Sequence, residues 1–218
     1  MAFGPELTLL GGFMLRHDGR PLAIPKTLQR LLAFLGLRRQ ATRTTVSDAL
    51  WPRDPGDAAS GNLRTALWRL RRIGAPVIRT EGETLALDDR VRTDVDELAD
   101  ADPLTQEHLV CGPLELLPGW YDDWVLEERE RLCQMYLNRL ESLARSRLRL
   151  ARYGEALDAA LTAMRAEPLR EGPHELLIEI HLAEDNYGQA LSAYRGYQDL
   201  LERELGVVPS PRIQRLLA

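Results

Sequence analysis

Apolar side chains return along this chain with two periods, and the change from one to the other lays out its elements. Near the N-terminus they come in short runs, Leu7-Thr8-Leu9-Leu10 and Phe13-Met14-Leu15 around Gly11-Gly12. A third run, Pro21-Leu22-Ala23-Ile24-Pro25, follows the turn at His17-Asp18-Gly19. Runs bounded by turn residues predict small antiparallel strands. From Leu28 the spacing becomes helical: Leu28, Leu31, Leu32 and Leu35 predict a first helix with a narrow apolar face, ending in an Arg38-Arg39-Gln40 loop. Thr45-Val46-Ser47-Asp48 has the spacing of a capping box and predicts a short second helix that runs to Trp51 and stops at Pro52. Further on, Val77-Ile78-Arg79-Thr80 and Thr84-Leu85-Ala86-Leu87 flank Glu81-Gly82-Glu83 as a hairpin with glycine at its tip.

Between the second helix and the hairpin lies the most informative stretch, Asn62 to Arg72. Leu63, Leu67 and Leu70 fall at i, i+4 and i+7 and predict a buried stripe, which turns Arg64, Thr65, Trp68, Arg69 and Arg72 outward. Pro55-Gly56-Asp57 offers an N-cap at Asp57, and Gly74 followed by Pro76 ends the helix. Arg64, Arg69, Arg71 and Arg72 make four arginines within nine residues with almost no acid among them, a surface suited to phosphates and to the acceptor edge of guanine. A solvated Arg-rich face on an ordinary amphipathic helix has the same pattern. Strands, three helices and a terminal hairpin predict a winged helix-turn-helix.

The C-terminal part is helical throughout. Asp96 to Pro118, with Gly112-Pro113 and Pro118-Gly119, reads as a connector with a short helix. Asp122 and Asp123 then suit the start of a long helix, with Cys133, Leu137, Leu140, Ala144 and Leu148 as its buried stripe. Its charges from Glu127 to Arg131 predict a solvated face carrying a Glu127–Arg131 pair. Tyr153-Gly154-Glu155-Ala156-Leu157 recurs as Tyr187-Gly188-Gln189-Ala190-Leu191, 34 residues later, which is the period of tetratricopeptide helix pairs. Pro168 stands where such a unit closes, and the matching position in the second copy is Glu202. Each pair leaves an apolar face that stacking covers, with the long preceding helix capping one end.

Charge divides the chain at the same place. Residues 1–94 hold 15 Arg and Lys against 10 Asp and Glu, and residues 95–218 hold 13 against 23. A basic half joined to an acidic half points to nucleic acid at one end and a protein-contacting module at the other. Lys26 is the only lysine among 28 basic residues. Cys111 and Cys133 are too few and too far apart for a disulfide framework or a zinc site, and reduced thiols are expected. His17, His108, His174 and His181 are scattered, with only His174 and His181 sharing a helical face and no ligand-spaced partner. Gly11-Gly12 lacks the other residues of a phosphate-binding loop, and no nucleophile has a base near it in sequence. No metal, cofactor or enzyme activity is therefore expected. Trp120, Tyr121 and Trp124 read as anchors of a helix into a core, with an aromatic ligand clamp as the other reading. No signal peptide is recognisable and no run approaches the roughly 18 apolar residues of a membrane helix, so a soluble, cytoplasmic protein is expected, nucleoid-associated if it binds DNA.

With Asp48-Ala49-Leu50-Trp51 and Asn62-Leu63-Arg64 to Leu70-Arg71-Arg72 in one order, residues 1–94 resemble the winged-helix domain of SARP-type regulators, the antibiotic regulatory protein family, whose fold is similar to the OmpR-like output domain. Trp68 stands where that family usually has a small polar residue, and Glu81 and Glu83 bring negative charge to the wing tip. Residues 95–218, from Gly119-Trp120-Tyr121 through the repeats, resemble the bacterial transcriptional activator domain that follows in those proteins. The resemblance implies a small stand-alone activator that binds direct repeats upstream of promoters as a homodimer, at least on DNA, and recruits RNA polymerase holoenzyme to a secondary-metabolite gene cluster. It implies that the third helix enters the major groove and that the exposed loop of Pro52, Arg53, Asp54 and Asp57 touches the polymerase. Arg64, Arg69 and Arg72 are then the candidates for base and phosphate contacts, helped by Asn62 and Thr65. Arg71 and Arg79 would hold phosphates, and Trp68 would pack on a sugar or a thymine methyl. A peptide- or ligand-sensing regulator or adaptor, whose winged helix serves mainly for protein contact, is the alternative.

Overall fold

A computed structural model of the chain describes residues 4–96 and 116–217. These form two compact units, one of residues 4–96 and 116–131, the other of residues 132–217. Most of the connector read from the sequence, with His108 and Cys111, lies outside the described residues.

The first unit opens with β1 (Glu6–Thr8), β2 (Met14–His17) and β3 (Arg20–Pro21), an antiparallel meander. The Pro21 to Pro25 run contributes only Pro21 to β3, because prolines at both its ends lack a ladder donor. Parallel to β1 lies β7 (Arg92–Thr93), a pairing too short to show any alternation in sequence. It is held by the Asp94 carboxylate, which accepts from the backbone N–H groups of Leu9 (2.9 Å) and Leu10 (2.8 Å).

Helix α1 (Lys26–Arg38) is the centre of this unit. The expected narrow apolar face is too small: every residue from Leu31 to Leu37 is buried. A helix apolar all round is one enclosed on several sides. Leu7 and Leu9 approach Gly36 so closely that a Cβ there would stand 2.8 Å from the Leu7 Cδ2. Trp124 meets Phe34 edge-on with centroids 5.3 Å apart. No loop follows: Arg39 takes a left-handed turn (φ 62°) and the chain enters β4 (Gln40–Thr42) directly.

Helix α2 (Arg43–Leu50) begins before the capping box expected at Thr45 and Asp48. Thr42 is its N-cap, its hydroxyl accepting from the Thr45 N–H (3.2 Å), because β4 delivers the chain in extended form at that residue. Helix α3 (Gly56–Arg71) likewise starts at Pro55 rather than Asp57. Asp57 sits in the first turn, where its charge complements the helix dipole without a side-chain cap. Past Arg72 the chain leaves through Gly74 (φ 79°). Strands β5 (Ile78–Glu81) and β6 (Thr84–Leu87) pair antiparallel in register Glu81↔Thr84, which leaves Gly82-Glu83 as the turn, and β4 pairs with β6 on the other side.

Residues 116–131 complete the first unit. Leu117 N–H bonds the Leu9 carbonyl (2.9 Å), Trp120 stacks on Phe13 (6.3 Å) with the Lys26 ammonium over its ring (3.7 Å), and Tyr121 stays 78% exposed. Two of the three aromatics are therefore anchors. Helix α4 (Asp123–Arg149) starts where the paired aspartates suggest, and Glu127, Glu130 and Arg131 of its charged stretch are exposed as expected, but Glu128 and Arg129 turn inward. Glu128 is buried against Arg38 (3.6 Å) and pairs with Arg131 (2.6 Å) in place of the expected Glu127. Arg129 donates to the carbonyls of Leu116, Leu117 and Trp120 around the turn through Leu117 and Gly119, where Leu117 also accepts from the Trp120 N–H (3.1 Å).

In the second unit Leu137, Leu140 and Ala144 of α4 are buried, while Cys133 and Leu148 are half-buried. Then follow α5 (Tyr153–Ala166), α6 (Glu171–Ala183), α7 (Tyr187–Leu205) and α8 (Pro211–Gln214), closing in a 3-10 turn (Arg215–Leu217). Both copies of the 34-residue repeat open a helix at their tyrosine. They end differently for a stated reason: α5 stops before Pro168, whereas Glu202 lets α7 run on to Leu205, where Gly206 (φ 66°) closes it. Ile178, Ala190, Tyr197, Leu201 and Ile213 form the core of the second repeat. His174, 5% exposed, stacks on Tyr197 at 3.9 Å and bonds the Pro168 carbonyl through Nε2 (2.8 Å). A carbonyl only accepts, so Nε2 carries a proton. Burial pulls the His174 pKa below its ordinary value, and burial pushes the Tyr197 hydroxyl up to about 12.

Candidate nucleic-acid interface

Helix α3 buries Ala59, Leu63, Ala66, Leu67 and Leu70 against the first unit. What remains outward is Asn62, Arg64, Thr65, Trp68, Arg69, Arg71 and Arg72, all exposed. Arg30, Arg38, Arg39, Arg79, Arg90 and Arg92 of the same unit are all ion-paired. Among the described residues, Arg64, Arg69, Arg71 and Arg72 have no carboxylate within 4.0 Å. Among the described residues, Arg16, Arg20, Arg43 and Arg53 of the same unit also have no carboxylate within 4.0 Å, but only the α3 arginines stand together on one helix face. Guanidinium groups held in water with no anion beside them carry only donors, in a planar fork matched to phosphate and to the O6 and N7 of guanine.

The polar residues between them are partly engaged. Asn62 donates from Nδ2 to Asp54 Oδ2 (2.8 Å), which ties α3 to the loop before it, and the Thr65 hydroxyl donates back to the Gly61 carbonyl (3.0 Å). Arg72 lies over the Trp68 ring, 4.8 Å from its centroid. Beside this face runs an open groove of about 570 Å³, walled by Arg64, Trp68 and Arg71 of α3, Arg43 at the start of α2, and Gly82-Glu83 at the hairpin tip. Sequence reasoning did not single out Arg43. Its place follows from the N-terminus of α2 standing next to the hairpin, where its N–H bonds the Glu83 carbonyl (2.8 Å), a long-range contact with no local signal.

Arg79 is not brought to this surface. Alternation along β5 turns Ile78 and Thr80 toward Leu67, Leu70 and Arg71 of α3, and Arg79 to the opposite side with Arg39, Gln40 and Asp89. There it makes two bonds to Asp89 (2.6 and 3.2 Å). The loop residues Pro52, Arg53, Asp54 and Asp57 are all exposed, and the first three form part of a second groove of about 780 Å³ whose other wall holds Tyr121, Asp122, Asp123 and Glu127. At the base of the hairpin Asp88 is buried, and hydrogen bonds from the Arg90 guanidinium hold its carboxyl down at about 2. Among the described residues no group of three or more His, Cys, Asp or Glu is placed to hold a metal ion, and no helix is long and apolar enough to cross a membrane.

Residues 79–218 match the model of the family described as the bacterial transcriptional activator domain. The regulatory protein AfsR of Streptomyces coelicolor is 31% identical over 231 residues, covering 95% of this chain and 23% of that protein. The AfsR of Streptomyces griseus is 31% identical over 235 residues, covering 97% of this chain and 24% of that protein. The chain thus spans about a quarter of the length of these relatives. Its fold is similar to that of Mycobacterium tuberculosis EmbR, solved in complex with a low-affinity phosphopeptide: the TM-score is 0.80 at 19% identity, over 98% of this chain and 64% of that one.

Proposed function

The chain belongs to the bacterial transcriptional activator domain family, in the SARP-type arrangement of a winged helix followed by that domain, and from this membership we propose that it is a sequence-specific DNA-binding transcriptional activator. In this reading residues 1–94 bind DNA and residues 95–218 serve activation and pairing. Two copies occupy direct repeats upstream of a promoter, forming a homodimer at least on DNA, and the loop of Pro52, Arg53, Asp54 and Asp57 meets RNA polymerase holoenzyme. Control of a secondary-metabolite gene cluster is part of the reading, as in the regulators the chain resembles.

The observation that carries it is the unpaired state of the four α3 arginines on a helix whose other face is fully buried. A solvated helix face gains nothing from excluding acidic partners, whereas a phosphate-binding face must exclude them, because a resident carboxylate competes with the DNA. Arg64, Arg69 and Arg72 are assigned to base edges with Thr65 beside them. Arg71, joined by Arg43 across the groove, is assigned to phosphate. Asn62, already bonded to Asp54, positions α3 on its loop as much as it contacts DNA. Selection of duplexes from a random pool by the full chain, followed by gel shift, tests the assignment. Arg64→Ala and Arg69→Ala should each weaken the selected duplex by about 1–3 kcal/mol while leaving scrambled duplexes less affected. Wild-type binding by both variants would show that α3 does not read DNA. An adaptor whose winged helix contacts protein would retain no duplex at moderate salt.

A further inference from the structure

The outward stripe of α3 is uneven in height. Gly61 carries no side chain, and Thr65 is small with its hydroxyl turned back to the Gly61 carbonyl (3.0 Å). One turn later Trp68 stands out with 57% of its surface in water. Arg72 follows at i+4 on the same side, its guanidinium over the indole at 4.8 Å and without a carboxylate partner among the described residues. The contact is a cation–π one that holds the charge over the indole face, and the N–H donors of the guanidinium lie at the edge of its own plane. Trp68 and Arg72 thus form one object: a broad apolar plate with a donor fork held beside it.

Resting on the reading that α3 lies in the major groove, we infer that Trp68 and Arg72 read one dinucleotide step together, the indole covering the C5-methyl of a thymine and the guanidinium bonding O6 and N7 of a neighbouring guanine. The groove offers one apolar group, the thymine methyl, and one pair of acceptors spaced for a fork, on guanine. The guanidinium stands 4.8 Å from the indole centroid, nearer to the rise of about 3.4 Å between adjacent bases than to about 6.8 Å between next-but-one bases. Thr65, its hydroxyl turned back to the Gly61 carbonyl, is the small neighbour one turn before the plate, while the Arg64 guanidinium lies over Gly61, 3.7 Å from where a Cβ would stand. A phosphate role for Arg72 leaves the indole facing water, and a sugar contact for Trp68 draws the fork away from the bases.

The test uses the full chain and the duplex it selects from a random pool. Each thymine is replaced in turn by deoxyuridine, which lacks only the methyl, and each guanine by 7-deazaguanine, which lacks the N7 acceptor. One thymine is expected at which deoxyuridine weakens wild-type binding about fourfold, the value of one buried methyl. That penalty should vanish in Trp68→Ala and persist in Trp68→Phe. At the guanine next to it, 7-deazaguanine should weaken the wild type about tenfold and Arg72→Ala not at all. Trp68→Ala should also shrink the guanine penalty, because the fork loses its platform. If no thymine shows a penalty that depends on Trp68, or if the Trp68-dependent and Arg72-dependent bases are not neighbours, the inference is overturned while DNA binding stands. Failure of the wild-type chain to enrich any duplex overturns the DNA-binding reading itself.

Discussion

Replacing Arg71 and Arg79 by Ala, one at a time, separates two arginines of the same unit that keep different electrostatic company. Arg71 is exposed on the groove between α3 and the hairpin tip, with no carboxylate within 4.0 Å among the described residues. Arg79 makes two bonds to Asp89 (2.6 and 3.2 Å), with Glu81 at 4.0 Å, on the other face of β5. Each phosphate neutralised by a cation contributes about −0.9 to the slope of log K against log salt. Arg71→Ala should therefore flatten the slope by about 0.9, so that between 50 and 200 mM salt the wild type loses about 3.5-fold more affinity than the variant. Arg79→Ala should leave the slope unchanged, and its stability cost should be small because exposed ion pairs are worth about 0–1 kcal/mol. Asp89→Asn, which frees Arg79, should leave the slope unchanged too, since the freed charge still faces away from α3. Fluorescence anisotropy on one labelled duplex across a salt series reads all three. A flattened slope in Arg79→Ala with none in Arg71→Ala would place the phosphates on the outer face of the hairpin and refute the assignment of the groove.

Glu83 borders the groove and Glu81 does not, so Glu83→Gln should tighten binding to random duplexes at low salt while Glu81→Gln changes it little; equal effects in the anisotropy series would contradict the strand alternation. Trp124→Ala removes a 5%-exposed ring packed edge-on against Phe34 and should cost about 3–5 kcal/mol in urea unfolding, with loss below about 1 kcal/mol excluding a core role. Burial keeps His174 neutral below its ordinary pKa of 6.5, so the unfolded chain binds the extra proton. Stability of the second unit should hold above pH 6.5 and fall as pH drops below it, and His174→Phe should flatten that part of the profile in thermal melts; an unchanged profile would mean another group titrates there.

Element types were legible wherever one side of an element faces water. The α3 stripe and the tyrosines of the 34-residue repeat declare themselves because burial on one face leaves a period, and the repeat even carries its own stop signal at Pro168. Boundaries were not legible where tertiary structure chooses among equivalent local signals. Thr42, Thr45 and Asp48 are all acceptable caps, and the choice of Thr42 was made by β4 delivering an extended chain there. Similarly, α1 hides its period because Leu7 and Leu9 on one side and Trp124 on another help bury seven consecutive residues. The parallel β1–β7 pairing joins residues 86 apart with two rungs, and its lock, the Asp94 carboxylate, reads in sequence as one more acid in an acidic stretch.

For the site, the sequence identified which side chains leave the core and was silent on what each meets outside it. Periodicity assigns Asn62, Arg69 and Arg79 alike to water, yet Asn62 is bonded to Asp54, Arg79 to Asp89, and Arg69 to no acid among the described residues. Those partners lie 8 and 10 residues away, across a loop and a hairpin, distances at which no helical or strand period links them. The same limit runs the other way for the charged stretch of α4, where alternation of sign suggested solvent and the structure places Glu128 and Arg129 against Arg38 and three carbonyls. An arginine's capacity to bind an anion depends on whether an anion is already there, so counting arginines on a face overstates some surfaces and misses Arg43 on another. The groove between α2, α3 and the hairpin tip is the place where exposure, absence of acidic partners on α3 and convergence of separate elements coincide, and each of the three conditions had to be met in space before the basic run at Arg64 to Arg72 could be read as a surface for DNA.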